Sequence, residues 1–181
     1  VFDVLEKPFD RGGQMRTVLE VIAEGPGMQA RYNGRPTDFY TPDAFARADN
    51  AADRRFYEKP RRVLHTDERA AAFIAALYGR FLEPGMAVLD LMSGWRSHIP
   101  AEARPGRLIG LGMNEEELRE NPQLTGHVVH DLNRSPRLPF ADGAFDRVIC
   151  TVSVEYLTQP VAVFREVGRV LKPEGMFVLT F

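Results

Sequence analysis

Asp90 stands near the end of a short apolar run, Val88-Leu89-Asp90-Leu91, and is followed by the turn Met92-Ser93-Gly94-Trp95. An acid at the end of a buried strand, followed by a turn of small residues, suits an adenosyl or phosphate ligand. The turn lets backbone N–H groups approach the ligand, while the acid orients the loop or accepts from an ammonium. The same residues also read as a tight strand-to-loop turn capped by Asp90. Gly110-Leu111-Gly112-Met113-Asn114-Glu115 opens like the dinucleotide-binding glycine pattern, but it lacks the third glycine and follows a second strand instead of a first. His127 and His130 are three apart on a predicted strand, so they point to opposite faces and cannot share a metal ion. The sequence contains neither a GK[ST] phosphate loop nor a G-x-S-x-G nucleophile elbow, and nucleotide-triphosphatase and hydrolase readings fall away.

Five short apolar runs would position these residues: Met86 to Leu91, Leu108 to Leu111, His127 to Leu132, Arg147 to Val152 and Met176 to Phe181. Such near-continuous runs predict strands buried on both faces. A helix is expected to start at Thr66, which can cap it ahead of Asp67 and Glu68, with Phe73, Ile74, Leu77 and Phe81 on one face and Pro84-Gly85 as the stop. Pro160 to Leu171 places Val161, Phe164, Val167, Val170 and Leu171 at helical spacing. Strands alternating with helices imply an α/β domain over residues 65–181, a doubly wound, Rossmann-like parallel sheet with helices on both sides. Ligands in such sheets bind beyond the carboxyl ends of the strands.

Residues 1–64 are loop-rich, punctuated by Gly12-Gly13, Gly25-Pro26-Gly27, Asn33-Gly34 and Thr41-Pro42. Asn33-Gly34 suggests a hairpin turn and Thr41-Pro42-Asp43 a helix start, so this part is expected to be an N-terminal cap or extension. The fifth strand closes the sequence. Its edge would be covered by further C-terminal strands missing here, or by a second copy of the chain in a homo-oligomer.

Composition sets the outer bounds. The chain has 181 residues, 44% hydrophobic and 27% charged, enough for one domain with an appendage. A net charge of −2 gives no global pull toward nucleic acid or an anionic membrane. The lone Cys150 excludes an intrachain disulfide and fits a reducing, cytoplasmic setting. No apolar run approaches the ~18 residues of a membrane span.

Two further segments carry a resemblance. Leu138-Pro139-Phe140-Ala141-Asp142-Gly143-Ala144-Phe145-Asp146 leads into the fourth strand, and Glu166-Val167-Gly168-Arg169-Val170-Leu171-Lys172-Pro173-Glu174-Gly175 into the fifth. With the first loop, they resemble the class I S-adenosylmethionine-dependent methyltransferases, specifically the type 11 methyltransferase-like domain, over roughly residues 65–181. The first loop departs from that family's D-x-G-x-G-x-G: Met92 stands at its first glycine, and only Gly94 remains. The run Val88 to Pro100 is similar to a branch of the family with a glycine-poor first loop, V-L-D-L-M-S-x-W-x-S-H-x-P.

The resemblance implies an enzyme that binds S-adenosylmethionine and methylates an acceptor, a small molecule before a macromolecule. Asp90, Ser93, Gly94 and Trp95 would line the methionine side. The family's ribose-gripping acid falls at Gly112, so Asn114 or Glu115 from the next turn would serve the ribose, unless Asn114 only caps the helix Glu115 to Glu120. Asp131 with Leu132 would meet the adenine. Thr151, Ser153, Glu155 and Tyr156 follow the fourth strand, where the family places a variable catalytic loop. Glu155 is either a base toward a hydroxyl or amine or a solvated carboxylate. Tyr57, Arg61 and His65 could close the site, and His98 lies in its first loop. No metal is implied. The competing reading is a methyltransferase-like fold that has lost the cofactor and acts as a binding or scaffolding module, supported by the Met92 and Gly112 departures.

Overall fold

A computed structural model describes residues 45–47, 53–63 and 65–181. The hairpin expected at Asn33-Gly34 and the helix start at Thr41-Pro42 lie outside the described residues. After a single helical turn, α1 (Asp53–Phe56), come the helix α2 (Glu68–Phe81), the strands β1 (Ala87–Leu91) and β2 (Arg107–Gly112), the short helix α3 (Glu115–Glu120) and β3 (Gly126–Val129). Then follow β4 (Phe145–Thr151), a 3-10 turn (Val154–Tyr156), α4 (Pro160–Val170) and β5 (Leu171–Thr180). The five strands form one sheet in the order β3-β2-β1-β4-β5, and every pairing is parallel. This is the expected Rossmann-like, doubly wound α/β architecture.

Alternation along the central strands divides the core between two faces. Leu89, Leu91, Leu111, Val148 and Cys150 pack with Val163, Val167 and Val170 of α4. Val88, Leu108, Ile149 and Val178 pack with Ile74 and Tyr78 of α2 and with Leu82 beyond it. Among the described residues, no helix is long and apolar enough to cross a membrane.

Three expectations need correction. Asp67, not Thr66, caps α2: its carboxylate accepts from the Ala70 N–H at 2.7 Å. The buried face of α2 runs through Ile74 and Tyr78 and leaves Phe73 exposed, because Tyr78 and not Phe73 continues the stripe four residues from Ile74. Neither β3, which leaves Val129 exposed, nor β5 is buried on both faces. Lying at the edge of the described sheet, β5 keeps only Val178 fully buried and leaves Met176 and Phe181 exposed.

The two segments that flank β4 and β5 meet at Arg169. Its guanidinium donates to the carbonyls of Leu138 and Phe140, both at 2.9 Å, and to the carboxylates of Asp142 and Glu166, both at 2.6 Å. Glu166 in turn accepts from the Leu138 N–H at 2.9 Å. One step on, Asp146 accepts from Lys172 and from the Ala87 N–H, tying the start of β4 to β5 and β1. These charges fix the turn into β4 and the exit from α4, and so set where β4 ends.

Candidate active site

β1 and β4 end side by side, with Asp90 opposite Ile149 and Leu91 opposite Cys150. Beyond them the chain adopts a left-handed backbone at two non-glycine residues, Met92 (φ 59°) after β1 and Val152 (φ 39°) after β4. Side chains resist this conformation, most of all a β-branched one, and such residues persist only where their surroundings force them. Both line a cavity of about 110 Å³. Ligand pockets usually hold ~300–1,000 Å³, so a cofactor-sized ligand requires this space to widen.

Asp90 forms the floor. Its carboxyl is fully enclosed and accepts from the Ser93 hydroxyl at 2.7 Å and from the Ser97 hydroxyl. Burial pushes its pKa up to about 7, although both hydroxyls pull the other way. The loop around it is held from α3 and its exit. Asn121 donates to the Gly94 carbonyl at 3.0 Å and the Ser97 hydroxyl at 2.9 Å, while Gln123 accepts from the Ser97 N–H and donates to the Ile99 carbonyl. The loop also lies across the end of β2. The Ser93 N–H donates to the Leu111 carbonyl at 2.8 Å, and a Cβ at Gly112 would overlap the Ser93 carbonyl oxygen.

A covering segment, residues 56–63, forms the opposite wall. Trp95 donates its indole N–H to the Val63 carbonyl at 3.2 Å, Asn114 donates to the Tyr57 carbonyl at 2.8 Å, and Glu117 accepts the Arg61 N–H at 2.5 Å. Arg61 stacks over Phe56 and Arg96 over Trp95. Tyr57 has its phenol pKa raised by burial and by the negative field of Asp53, Tyr156 and Glu117. Partial burial and the neighbouring Arg96 hold the His98 imidazole below its ordinary pKa.

Of the residues singled out in the sequence, Asp90, Ser93, Gly94, Trp95, Thr151, Ser153 and Tyr156 line the cavity, joined by Tyr57, Arg61, His65 and His98. Asn114 caps α3, accepting from the Glu117 N–H at 3.0 Å. Asp131 lies just after β3 and closes a turn, accepting from the Asn133 and Arg134 N–H groups. Leu132 is core, and Glu155 is exposed on the 3-10 turn; none of Asn114, Asp131, Leu132 and Glu155 lines the cavity. Asn133 ties their neighbourhoods together, donating to Asp53 and to the Tyr156 carbonyl and accepting from Thr158.

Besides the apolar Phe56, Val63 and Val152, two polar lining residues outside the first loop had no site role in the sequence reading. Thr66 carries a buried hydroxyl with no hydrogen-bond partner among the described residues. Glu117 is 8% exposed. Its spacing three residues after the capping Asn114 was a usable signal, because an acid there commonly reaches back to the cap. Here it turns into the cleft instead.

Residues 92–179 match a family model described as a methyltransferase domain. A ubiquinone/menaquinone biosynthesis C-methyltransferase from Hydrogenovibrio crunogenus is 30% identical over 111 residues, covering 55% of this chain and 44% of that protein. The chain therefore spans less than half the length of that curated relative. Among solved structures, a [4+2]-cyclase superposes with a TM-score of 0.50 at 20% identity, covering 68% of this chain and 48% of that one. A putative methyltransferase solved in complex with its Haloferax volcanii Trm112 activator gives a TM-score of 0.48 at 25% identity, covering 61% and 52%.

Proposed function

We propose that the protein is a class I methyltransferase that binds S-adenosylmethionine beyond the carboxyl ends of its central strands, in keeping with the methyltransferase-domain model matched over residues 92–179. It then transfers the methyl group to a small-molecule acceptor in a cytoplasmic setting. The observation that carries this reading is the pair of buried carboxyl groups, Asp90 and Glu117, in one cavity, neither in an ion pair among the described residues. Buried acids without a cation are costly, and a ligand that brings a positive charge and hydroxyl donors suits them. The unpartnered Thr66 hydroxyl adds a third polar group facing the same space. Met92 supports cofactor binding over a scaffolding role, since it keeps the left-handed backbone that a glycine-type ligand loop needs.

Asp90, Ser93, Gly94 and Trp95 take the methionine side, Asn114 and the helix it caps the ribose side, and Asp131 with Leu132 the adenine. Within the N-terminal extension, the covering segment 56–63 takes part in selecting the acceptor. Bound there, the cofactor supplies a methyl group already activated on a positively charged sulfur. The chain then has to align the acceptor, exclude water and accept a proton. The covering segment excludes water. Thr151 and Tyr156 line the acceptor side, with Glu155 on the same turn. His98, its imidazole pKa lowered by partial burial and by Arg96, lines the same cavity and would take the proton.

Calorimetric titration with S-adenosylhomocysteine tests the reading. Binding in the micromolar range, weakened about tenfold or more by Asp131→Ala, is expected. No detectable heat at millimolar ligand would overturn it.

A further inference from the structure

The backbone around Gly112 leaves no room for an acid at the end of β2, because the Ser93 carbonyl occupies the place of its Cβ. Any carboxylate that receives the hydroxyls of a bound nucleoside must come from elsewhere. α3 offers four acids. Glu115 is spent on Arg119, and Glu116 and Glu120 on Arg62, all at the exposed surface. Asn114 has its amide nitrogen on the Tyr57 carbonyl and its oxygen on the Glu117 N–H. Glu117 alone of the four is buried and lines the cavity.

Its two oxygens are differently placed. Oε1 accepts the Arg61 N–H, whereas Oε2 lies beside Gly94, 3.3 Å from where a Cβ there would sit. Gly94 thus leaves open the face of the loop on which Oε2 stands. A carboxylate has about four acceptor positions, so a single backbone donor leaves it able to take hydroxyl protons. We propose that Glu117 is the acceptor for the ribose hydroxyls of the nucleoside cofactor, a specificity-determining residue delivered from the first turn of α3 and displacing the usual acid at the strand end. This rests on the cofactor reading above.

The experiment pairs a variant with a ligand lacking the group. Wild type and Glu117→Gln are titrated with S-adenosylhomocysteine and with its 2′-deoxy and 3′-deoxy analogues. Glutamine keeps a carbonyl for the Arg61 N–H, so the covering segment stays fastened. Wild type is expected to bind at least one deoxy analogue about 10- to 100-fold more weakly than the parent. In Glu117→Gln the parent weakens by a similar factor, and the discrimination shrinks to within about threefold. Glu115→Gln, on the exposed face, leaves both affinities as in wild type. Retention of full hydroxyl discrimination in Glu117→Gln, with wild type binding normally, overturns the assignment alone. Failure of wild type to bind the parent ligand overturns the cofactor reading and this inference with it.

Discussion

The carbonyl of Ser93 sits against Gly112, close enough that no side chain fits at position 112. Two departures in the sequence are therefore one structural event. The first loop folds across the end of β2, and a glycine there is what admits it. A strand-end acid and this loop path exclude each other.

Gly112→Asp accordingly does not repair the site. It is expected to lower stability by about 1–3 kcal/mol, as overpacking against backbone does, and to weaken S-adenosylhomocysteine binding. Urea denaturation and calorimetry measure the two effects. A variant that binds more tightly than wild type would refute the loop path.

Met92 holds its left-handed backbone at the expense of strain while its side chain packs against the core. Met92→Gly relieves the strain and loses the contact, so the net change should stay within about 1 kcal/mol. Met92→Val keeps apolar bulk but adds a β-branch, and should be about 1–3 kcal/mol less stable than Met92→Gly. Equal denaturation midpoints for the two variants would remove the strain argument.

The raised pKa of Asp90, about 7 against an ordinary 3.8, fixes the sign of a pH effect. Between those values the folded chain keeps a proton that the unfolded chain releases. Stability therefore falls as pH rises through this window and levels off above about 7. Asp146 and Glu166 shift the other way, held low chiefly by Lys172 and Arg169 respectively, so their contribution is lost only as pH falls through the lower carboxylate range. Urea denaturation of wild type and Asp90→Asn from about pH 5 to about pH 8 isolates the first effect. Wild type should lose ground to the variant as pH rises, and a constant difference would count against it.

Arg169 joins two carboxylates and two carbonyls at the turn into β4. Arg169→Ala should cost about 1.5–3 kcal/mol, the range for hydrogen bonds to charged groups. Arg169→Lys should recover less than half of that, because one ammonium cannot span the fork. Thermal and urea midpoints provide the check, and a neutral alanine variant would show that the cluster is decorative.

The sheet was legible because buried parallel strands announce themselves as apolar runs, and all five runs overlap the observed strands. Edges were less so. Phe73 and Met176 are as apolar as core residues, yet helix rotation and sheet order leave them exposed, and neither is encoded locally. Within the cleft, Asp90, Ser93 and Gly94 were readable from one contiguous loop. Glu117 carried a signal only as a partner of the Asn114 cap and Thr66 none as a cavity residue, because both reach the cavity only through tertiary folding of α3 and of the approach to α2. Asn121 and Gln123 were hidden for the same reason: they hold the first loop from 24 to 27 residues away.

Apart from the Arg62 ion pairs to Glu116 and Glu120 at the outer surface, the bonds that fasten the covering segment to the cleft end on its main chain, at Tyr57, Arg61 and Val63. Closure is thus written in the fixed wall rather than in the covering strip. Side chains at these positions can be exchanged to suit a new acceptor without unlatching it, and selectivity can be retuned while the clasp endures.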